Sequence, residues 1–572
     1  SSPQARSRFL DSAVAAGCPL APTLFYCLMN TALGYDPYGW GVPYASALVS
    51  DSEEPLADIS LQVLAVLLDY APLVTETVLS SPESAASSHT QSPPGSAAEP
   101  AAESPAPAAG AGESEPAASP DASRLSVFNM YRSMLHSLVN DADLAFVYKG
   151  ITRLLNNVPT AEKTVLPYST KQVSCFQEVL VILWKLLDEN PAFRAYMFKH
   201  ENVCEIVVPM VYFMWSGRNS PSRVGLVHIC TFILLLMSGD RNFAVALNRP
   251  FAEKLPTDLP LFAGSHVDLL FIVLHKLVVN GADKLGTLYN CFLTIIANVS
   301  PYTKSLSMVA AVKLMNLLEL FSSPRFIFQG PDNHQFAAQL VDAFTNIVQY
   351  QYEGNTHLVY ALIRRRHVIQ AVRFVCVKGS CVATTTDEEE EDGDTDAGPI
   401  SPETAGSARS ATDAETGEEY DSDASVDEGL TTDTSAHSKA RHNALQTQHG
   451  NEGERRRRRF RPTAAWLDGW KSQLKLGTLL RLVDFLGPQV DTFMEANPHG
   501  ADEEAVVTFL RNTTMVGLLP VPHPIVTRRY QPNQFTALWF TTFLWGVVFL
   551  RNQEVPLFDS DRIRLFSITV VQ

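Results

Sequence analysis

The residues best placed to do chemistry in this sequence carry guanidinium groups or stiff extended backbone, and both kinds bind rather than catalyse. Arg364, Arg365 and Arg366 close the stretch Gly354-Asn355-Thr356-His357-Leu358-Val359-Tyr360-Ala361-Leu362-Ile363. Gly354 and Asn355 end one helix and begin the next, with Asn355 or Thr356 as N-cap. The three cations then either complement the helix dipole or offer a local basic patch to an anionic headgroup or an acidic partner. A second run, Arg455, Arg456, Arg457, Arg458 and Arg459, is the strongest charge signal. It reads as a solvated linker end, a contact for anionic lipid, or a nuclear-import or nucleic-acid patch. In Leu519-Pro520-Val521-Pro522-His523-Pro524, proline at every second position removes amide donors and enforces an extended path. Pro520, Pro522, His523 and Pro524 are therefore a stiff connector between helices or a docking surface, and Arg528-Arg529-Tyr530 follows at once.

Catalytic constellations are not found in the sequence. It has no GxSxG elbow, no HExxH, no P-loop and no GxGxxG opening a helix. The reading is therefore a non-enzyme with no cofactor and no metal. His228 and His275 lie in apolar surroundings and read as satisfied core or groove histidines. Eight cysteines are scattered without a CxxC pair. Cys175, Cys204, Cys230 and Cys291 sit singly in apolar helical stretches, where a thiol acts as a small buried hydrophobe. A reducing compartment fits, and the sequons at Asn298 and Asn512 are chance matches on that reading. Ser1-Ser2-Pro3-Gln4 shows no initiator methionine or signal peptide, so the true N-terminus is expected upstream.

The elements that must position these groups are helices. Residues 80–121 are Ser, Pro, Ala and Glu in low-complexity order, and residues 382–461 run from an acidic tract to the five arginines. Neither has the apolar content to offset backbone ordering, so both read as disordered insertions. Between Thr384 and Asp433 stand 18 acidic residues and one basic residue, Arg409, which accounts for the formal net charge of −17. The rest of the chain is near neutral, which argues against a body built to grip nucleic acid. Three blocks remain: an N-terminal helical fragment (1–79), a central block (122–381) and a C-terminal block (462–572). In the central block, Phe176, Val179, Leu180, Leu183 and Leu187 follow helical spacing, with Glu178, Lys185 and Glu189 as a narrow polar stripe. Breaks are expected at Pro191, Pro209, Pro221, Pro250, Pro260, Pro301 and Pro324. Only Ile563–Val571 alternates like a strand. Val224–Met237 and Thr536–Leu550 are apolar but shorter than the roughly 18–20 residues of a membrane-spanning helix; for the second, with Trp539 and Trp545, interfacial contact is the other reading. The fold class is all-α: an irregular armadillo/HEAT-like helical solenoid with two insertions.

Several idiosyncratic strings carry a resemblance. They include Tyr35-Asp36-Pro37, Lys149-Gly150-Ile151 with Arg153-Leu154-Leu155, and Ser222-Arg223-Val224-Gly225-Leu226 through Gly239-Asp240-Arg241-Asn242-Phe243. Asn298-Val299-Ser300-Pro301-Tyr302, Gln349-Tyr350-Gln351, and Val516–Pro524 with Trp545-Gly546-Val547 continue them in order. Together they resemble the high-temperature-induced dauer-formation protein family, relatives of the dymeclins. The resemblance implies a non-enzymatic peripheral scaffold on the cytosolic face of the Golgi and trans-Golgi network, acting in secretory-pathway traffic and cargo sorting into regulated secretory vesicles. It implies protein partners of the secretory pathway and the cytosolic leaflet of Golgi membranes, with no nucleic acid and no small-molecule substrate. That family's myristoylated N-terminal glycine matches no residue of this sequence. The alternative is a soluble adaptor solenoid of nuclear or other protein transport, which the arginine run favours.

Overall fold

The computed structural model describes residues 7–38, 53–71, 128–164, 170–374, 460, 462–497, 502–513 and 519–553. Apart from Phe460, the two expected insertions lie outside the described residues, as do Arg455–Arg459 and Ile563–Val571.

The described chain is almost entirely helical. Its first helices are α1 (Arg8–Val14), α2 (Ala21–Gly34), α3 (Glu53–Asp69), α4 (Met130–His136) and α5 (Asp141–Lys163). Then come α6 (Phe176–Glu189), α7 (Pro191–His200), α8 (Cys204–Gly217), α9 (Val224–Ser238) and α10 (Arg241–Ala246). A two-residue ladder pairs β1 (Pro250–Phe251) antiparallel with β2 (Gly264–Ser265). Beyond it lie α11 (His266–Asn280), α12 (Ala282–Leu285), α13 (Tyr289–Val299), α14 (Met308–Ser322), α15 (Pro324–Ile327), α16 (His334–Gln351), α17 (Thr356–Arg364) and α18 (Arg366–Phe374). The last group is α19 (Ala464–Gln473), α20 (Gly477–Ala496), α21 (Glu503–Asn512) and α22 (Gln534–Arg551).

These helices form a two-layered irregular solenoid. One layer runs α2, α5, α8, α11, α14, α17, α21, each packed on the next; the other runs α3, α6, α9, α13, α16, α20. One continuous apolar cluster extends through both layers, from Val14 to Val548. The C-terminal segment then doubles back along the second layer, so that α22 lies on α3 and α6 at the opposite end of the array.

Stacking helices in this way buries the backbone groups at helix ends, which must be satisfied by side chains. Asparagine supplies most of those bonds. Asn190 caps α7 through its Oδ1, which accepts from Phe193 N–H at 2.7 Å. Its Nδ2 donates to the carbonyls of Leu135 and Leu138, at 2.7 and 2.9 Å, across the interface. Asn129 does the same for Leu67 and Tyr70, both at 2.8 Å, while capping α4. Arg153 donates to the carbonyls of Leu33 and Tyr35, at 2.7 and 3.1 Å. Beside it, a Cβ on Gly150 would come within 2.6 Å of Leu33 O, so glycine is what lets α5 cross α2 so closely.

Four expectations change. Pro209 lies inside α8 rather than ending a helix. Proline leaves the carbonyl of Glu205, four residues earlier, without its helical donor; Asn156 Nδ2 supplies that bond at 2.8 Å. Asn355 stands at the N-cap of α17 but makes no capping bond. It is buried, and its Nδ2 donates to the carbonyls of Thr303, Lys304 and Gln351 at 2.8, 3.2 and 2.8 Å. Gly354 is there for close approach, since a Cβ would meet Lys304 O at 1.8 Å. Val224–Met237 is prolonged by the 3-10 turn Pro221–Arg223, so Pro221–Ser238 is long and apolar enough to cross a membrane by length and composition. It is the one such helix among the described residues, and 56% of it is buried between neighbouring helices.

Two substitutions test this packing. Leu183, fully buried in α6, is expected to lose about 2–5 kcal/mol of unfolding free energy as Leu183→Ala. Gly354→Ala forces backbone apart at the Lys304 crossing and is expected to lower the unfolding midpoint by at least as much as a core cavity does. Urea or thermal denaturation measures both, and parent-like stability in either contradicts the packing described.

Candidate partner-binding surfaces

The three arginines that end α17 do not converge on one patch. Arg364 is exposed and has no ion pair among the described residues. Arg365 turns to α14, where it contacts Asn316 and lies 3.5 Å from Glu319. Arg366 begins α18 and reaches α20, 2.9 Å from Asp491. Two of the three guanidiniums thus staple neighbouring helices, and exposed pairs of this kind contribute at most about 1 kcal/mol each.

The proline-paced segment is an extended strap, residues 519–533, laid over the second layer. Its first half is open to solvent: Val521 is 85% exposed and Val526 79%. Pro522, His523 and Pro524 are exposed between them, and Pro520 is half-buried. The second half is clamped. Asn298 on α13 holds Arg528 by both backbone groups, accepting its N–H at 2.9 Å and donating to its C=O at 2.9 Å. The Arg528 guanidinium lies 3.4 Å from Asp342 on α16, and Tyr530 sets its ring edge-on to Trp184.

Beyond the strap, Asn533 caps α22 in a reciprocal box with Thr536. Phe540 stacks on Trp184 with ring centroids 4.0 Å apart, and Trp539 stacks on His228 at 5.6 Å. Phe535 and Leu538, 74% and 65% exposed, point away from this seam. At the far end Arg551 meets an acidic site that is partly open to solvent. It contacts Asp58 of α3, donates to Ser174 Oγ at 2.9 Å, and lies 3.5 Å from Glu178 of α6. The polar stripe of α6 is therefore covered as well: Glu178 is 2% exposed, and Lys185 reaches Asp69 at 3.1 Å. Burial pushes the Glu178 carboxyl up to about 7, outweighing the pull of Arg551.

The buried thiols and one buried histidine are kept neutral. Burial raises the thiols of Cys204 and Cys291 to about 11 and pushes Cys175 and Cys230 up as well. His228 bonds the Val224 carbonyl at 2.9 Å, as expected of a satisfied core histidine. His275 corrects that expectation: its Nδ1 is buried without a hydrogen-bond partner. Burial, with Lys313 and Lys276 adding to it, lowers its pKa to about 4 and leaves the ring uncharged. Among the described residues no group of three His, Cys, Asp or Glu is placed to hold a metal ion.

The family model described as "Dymeclin: Dyggve-Melchior-Clausen syndrome protein" matches residues 1–547. The chain belongs to the Dymeclin/HID1 family. Protein HID1 of Mus musculus is 37% identical over 95% of this chain and 68% of its own length. Protein HID1 of Homo sapiens is 38% identical over the same shares. Protein HID1 of Dictyostelium discoideum is 28% identical over 98% of this chain and 66% of its own length. No solved structure matches. The resemblance drawn from the residue strings is borne out, and the family is non-enzymatic.

Asn298, Glu178 and Arg551 were not legible as site residues. Asn298 carries a glycosylation-like triplet and belongs to one of the family strings, neither of which points to a backbone clamp, and the partners of Arg551 lie hundreds of residues away in sequence.

The Arg551 clasp generates a pH prediction. The Glu178 carboxyl is raised, so the folded protein keeps this proton where the unfolded chain has lost it. This group's contribution to stability is then greatest at low pH and declines as pH rises through about 7. Arg551→Gln removes the cation that opposes the shift and leaves the buried Glu178 carboxyl without it. The variant is expected to lose more stability near pH 8, where Glu178 is ionised, than near pH 6, read by chemical denaturation at both. An equal loss at the two pH values sinks the account.

Proposed function

We propose that the chain is a non-catalytic peripheral scaffold of Golgi and trans-Golgi membranes, acting in secretory-pathway traffic and in sorting cargo into regulated secretory vesicles. It would work there through protein partners of the secretory pathway and the cytosolic leaflet. Membership of the family supports a role in protein–protein interaction. The observation that carries the scaffold reading is the strap. Pro520, Pro522, His523 and Pro524 stand on a run whose ordering cost is already met by the Asn298 clamp and the aromatic seam. A pre-ordered extended apolar run loses little entropy on binding. Arg364 and the Arg455–Arg459 run are the cations proposed to meet anionic headgroups, each worth about 1 kcal/mol near such a surface. The transport-adaptor alternative rests on that same run, and no described residue favours it.

Fractionation of the native protein, followed with an antibody to residues 128–374, tests the location. The expected result is co-sedimentation with trans-Golgi membranes and release by alkaline carbonate. A wholly nuclear or freely soluble distribution contradicts the proposal.

A further inference from the structure

The Asn298 clamp shows how this solenoid grips extended backbone, and the same face continues past it. Asn290, Thr294 and Asn298 are spaced by four along α13 and so share one helix face. Asn298 is filled by the chain's own strap. Past Arg528, the other two line a cleft of about 460 Å³ bounded by α13, α16, α19 and the strap, within the roughly 300–1,000 Å³ of ligand sites.

Three residues lining the cleft carry buried polar atoms with no hydrogen-bond partner: Gln339 Oε1, Trp470 Nε1 and His334 Nδ1. Gln339 and Trp470 are 8% and 6% exposed. Their side chains are also fixed. Gln339 Nε2 donates to Asn290 Oδ1 at 2.7 Å, and the Trp470 ring stacks on His334 with centroids 5.4 Å apart. A small apolar cluster of Ile327, Leu467 and Trp470 anchors α19 beneath them. Leaving such atoms unpaired is unfavourable by about 1–3 kcal/mol each, so the cleft is preformed for a group that supplies both a donor and an acceptor. Peptide backbone does that, through one N–H and one C=O, as Arg528 does for Asn298. Lys475 and Arg528 also line the cleft. Asp342 partly neutralises Arg528 at 3.4 Å, which leaves Lys475 as the cation available to a ligand.

We propose that the cleft between α13, α16, α19 and the strap binds an extended segment of a partner protein, gripped by its backbone at Gln339 and Trp470 and carrying an acidic side chain opposite Lys475. This deepens the scaffold reading, on which it rests, by naming a docking site and the chemistry of the docked segment. Its test is a binding measurement in solution, so it can fail while the membrane location stands, and the reverse.

A display library of short random peptides, panned on the full chain, supplies the probes, and fluorescence anisotropy of the enriched peptides supplies affinities. Acidic peptides are expected to enrich. Trp470→Phe keeps the ring and removes the N–H, and is expected to weaken their binding about tenfold, the size of one lost hydrogen bond to a buried partner. Lys475→Glu is expected to abolish the acidic preference while basic peptides enrich instead. Both variants are expected to melt with the parent, and Gln473→Ala, at the cleft edge, controls for loss of shape alone. Failure of any peptide to enrich over an unrelated helical protein overturns the proposal. So does equal binding by parent, Trp470→Phe and Lys475→Glu; in that case the cleft grips no peptide backbone.

Discussion

Hydrogen bonds from asparagine and arginine side chains to the backbone of helix ends and loops hold the successive layers in register. Apolar burial drives the helices together but sets no particular offset between them. Each interface also traps carbonyls that have no helical donor. Asn129, Asn190 and Asn355 each reach two or more such carbonyls from a buried position. Arg153 does so from α5, and Asn156 repairs the gap left by Pro209. A shift of one helical residue along any interface would strand these groups, so the polar bonds select the register that the apolar surface leaves open.

The same device explains why the C-terminus can return along the array. The strap brings unpaired backbone to the second layer, and Asn298 receives it as the other asparagines receive loop backbone. Past this clamp runs a seam of aromatic rings, Tyr530, Trp184, Phe540, Trp539 and His228, closed by charges at Arg551. The two parts of this closure differ in kind. Ring stacking on α6 and α9 is gained without charge burial. The Arg551 site takes one carboxylate, Glu178, out of water and meets it with a guanidinium that stays partly solvated, so its charge is only partly compensated.

Sequence range decides which of these features were legible in the residues alone. Helical spacing within α6 showed that Leu183 is core, because the pattern is contained in four turns. The narrow width of its polar stripe pointed to cover on two sides; the third side is closed by Asp69 and Arg551, which no local window contains. Gly354 and Asn355 marked a helix boundary correctly, but the reason for them is Lys304, some 50 residues earlier, and not capping. Arg364, Arg365 and Arg366 looked like one patch because they are adjacent in sequence. A change of helix at Arg365 sends them to different neighbours. Pro520, Pro522 and Pro524 were legible as extended backbone, since proline geometry is local, whereas the clamp at Asn298 joins residues 230 apart.

The buried polar groups and the binding role are linked. Among the described residues the buried thiols are held protonated and His275 uncharged, while the buried Asp69 and Glu178 carboxyls face Lys185 and Arg551. The second layer presents a row of amide side chains suited to backbone. Where a loop or the strap supplies that backbone, the row builds the fold. At Gln339 and Trp470 no segment of the described chain does so, and Gln339 Oε1 and Trp470 Nε1 stay unpaired among the described residues. Fold and recognition therefore draw on one set of contacts, and the boundary between them is set by how far the strap extends along α13.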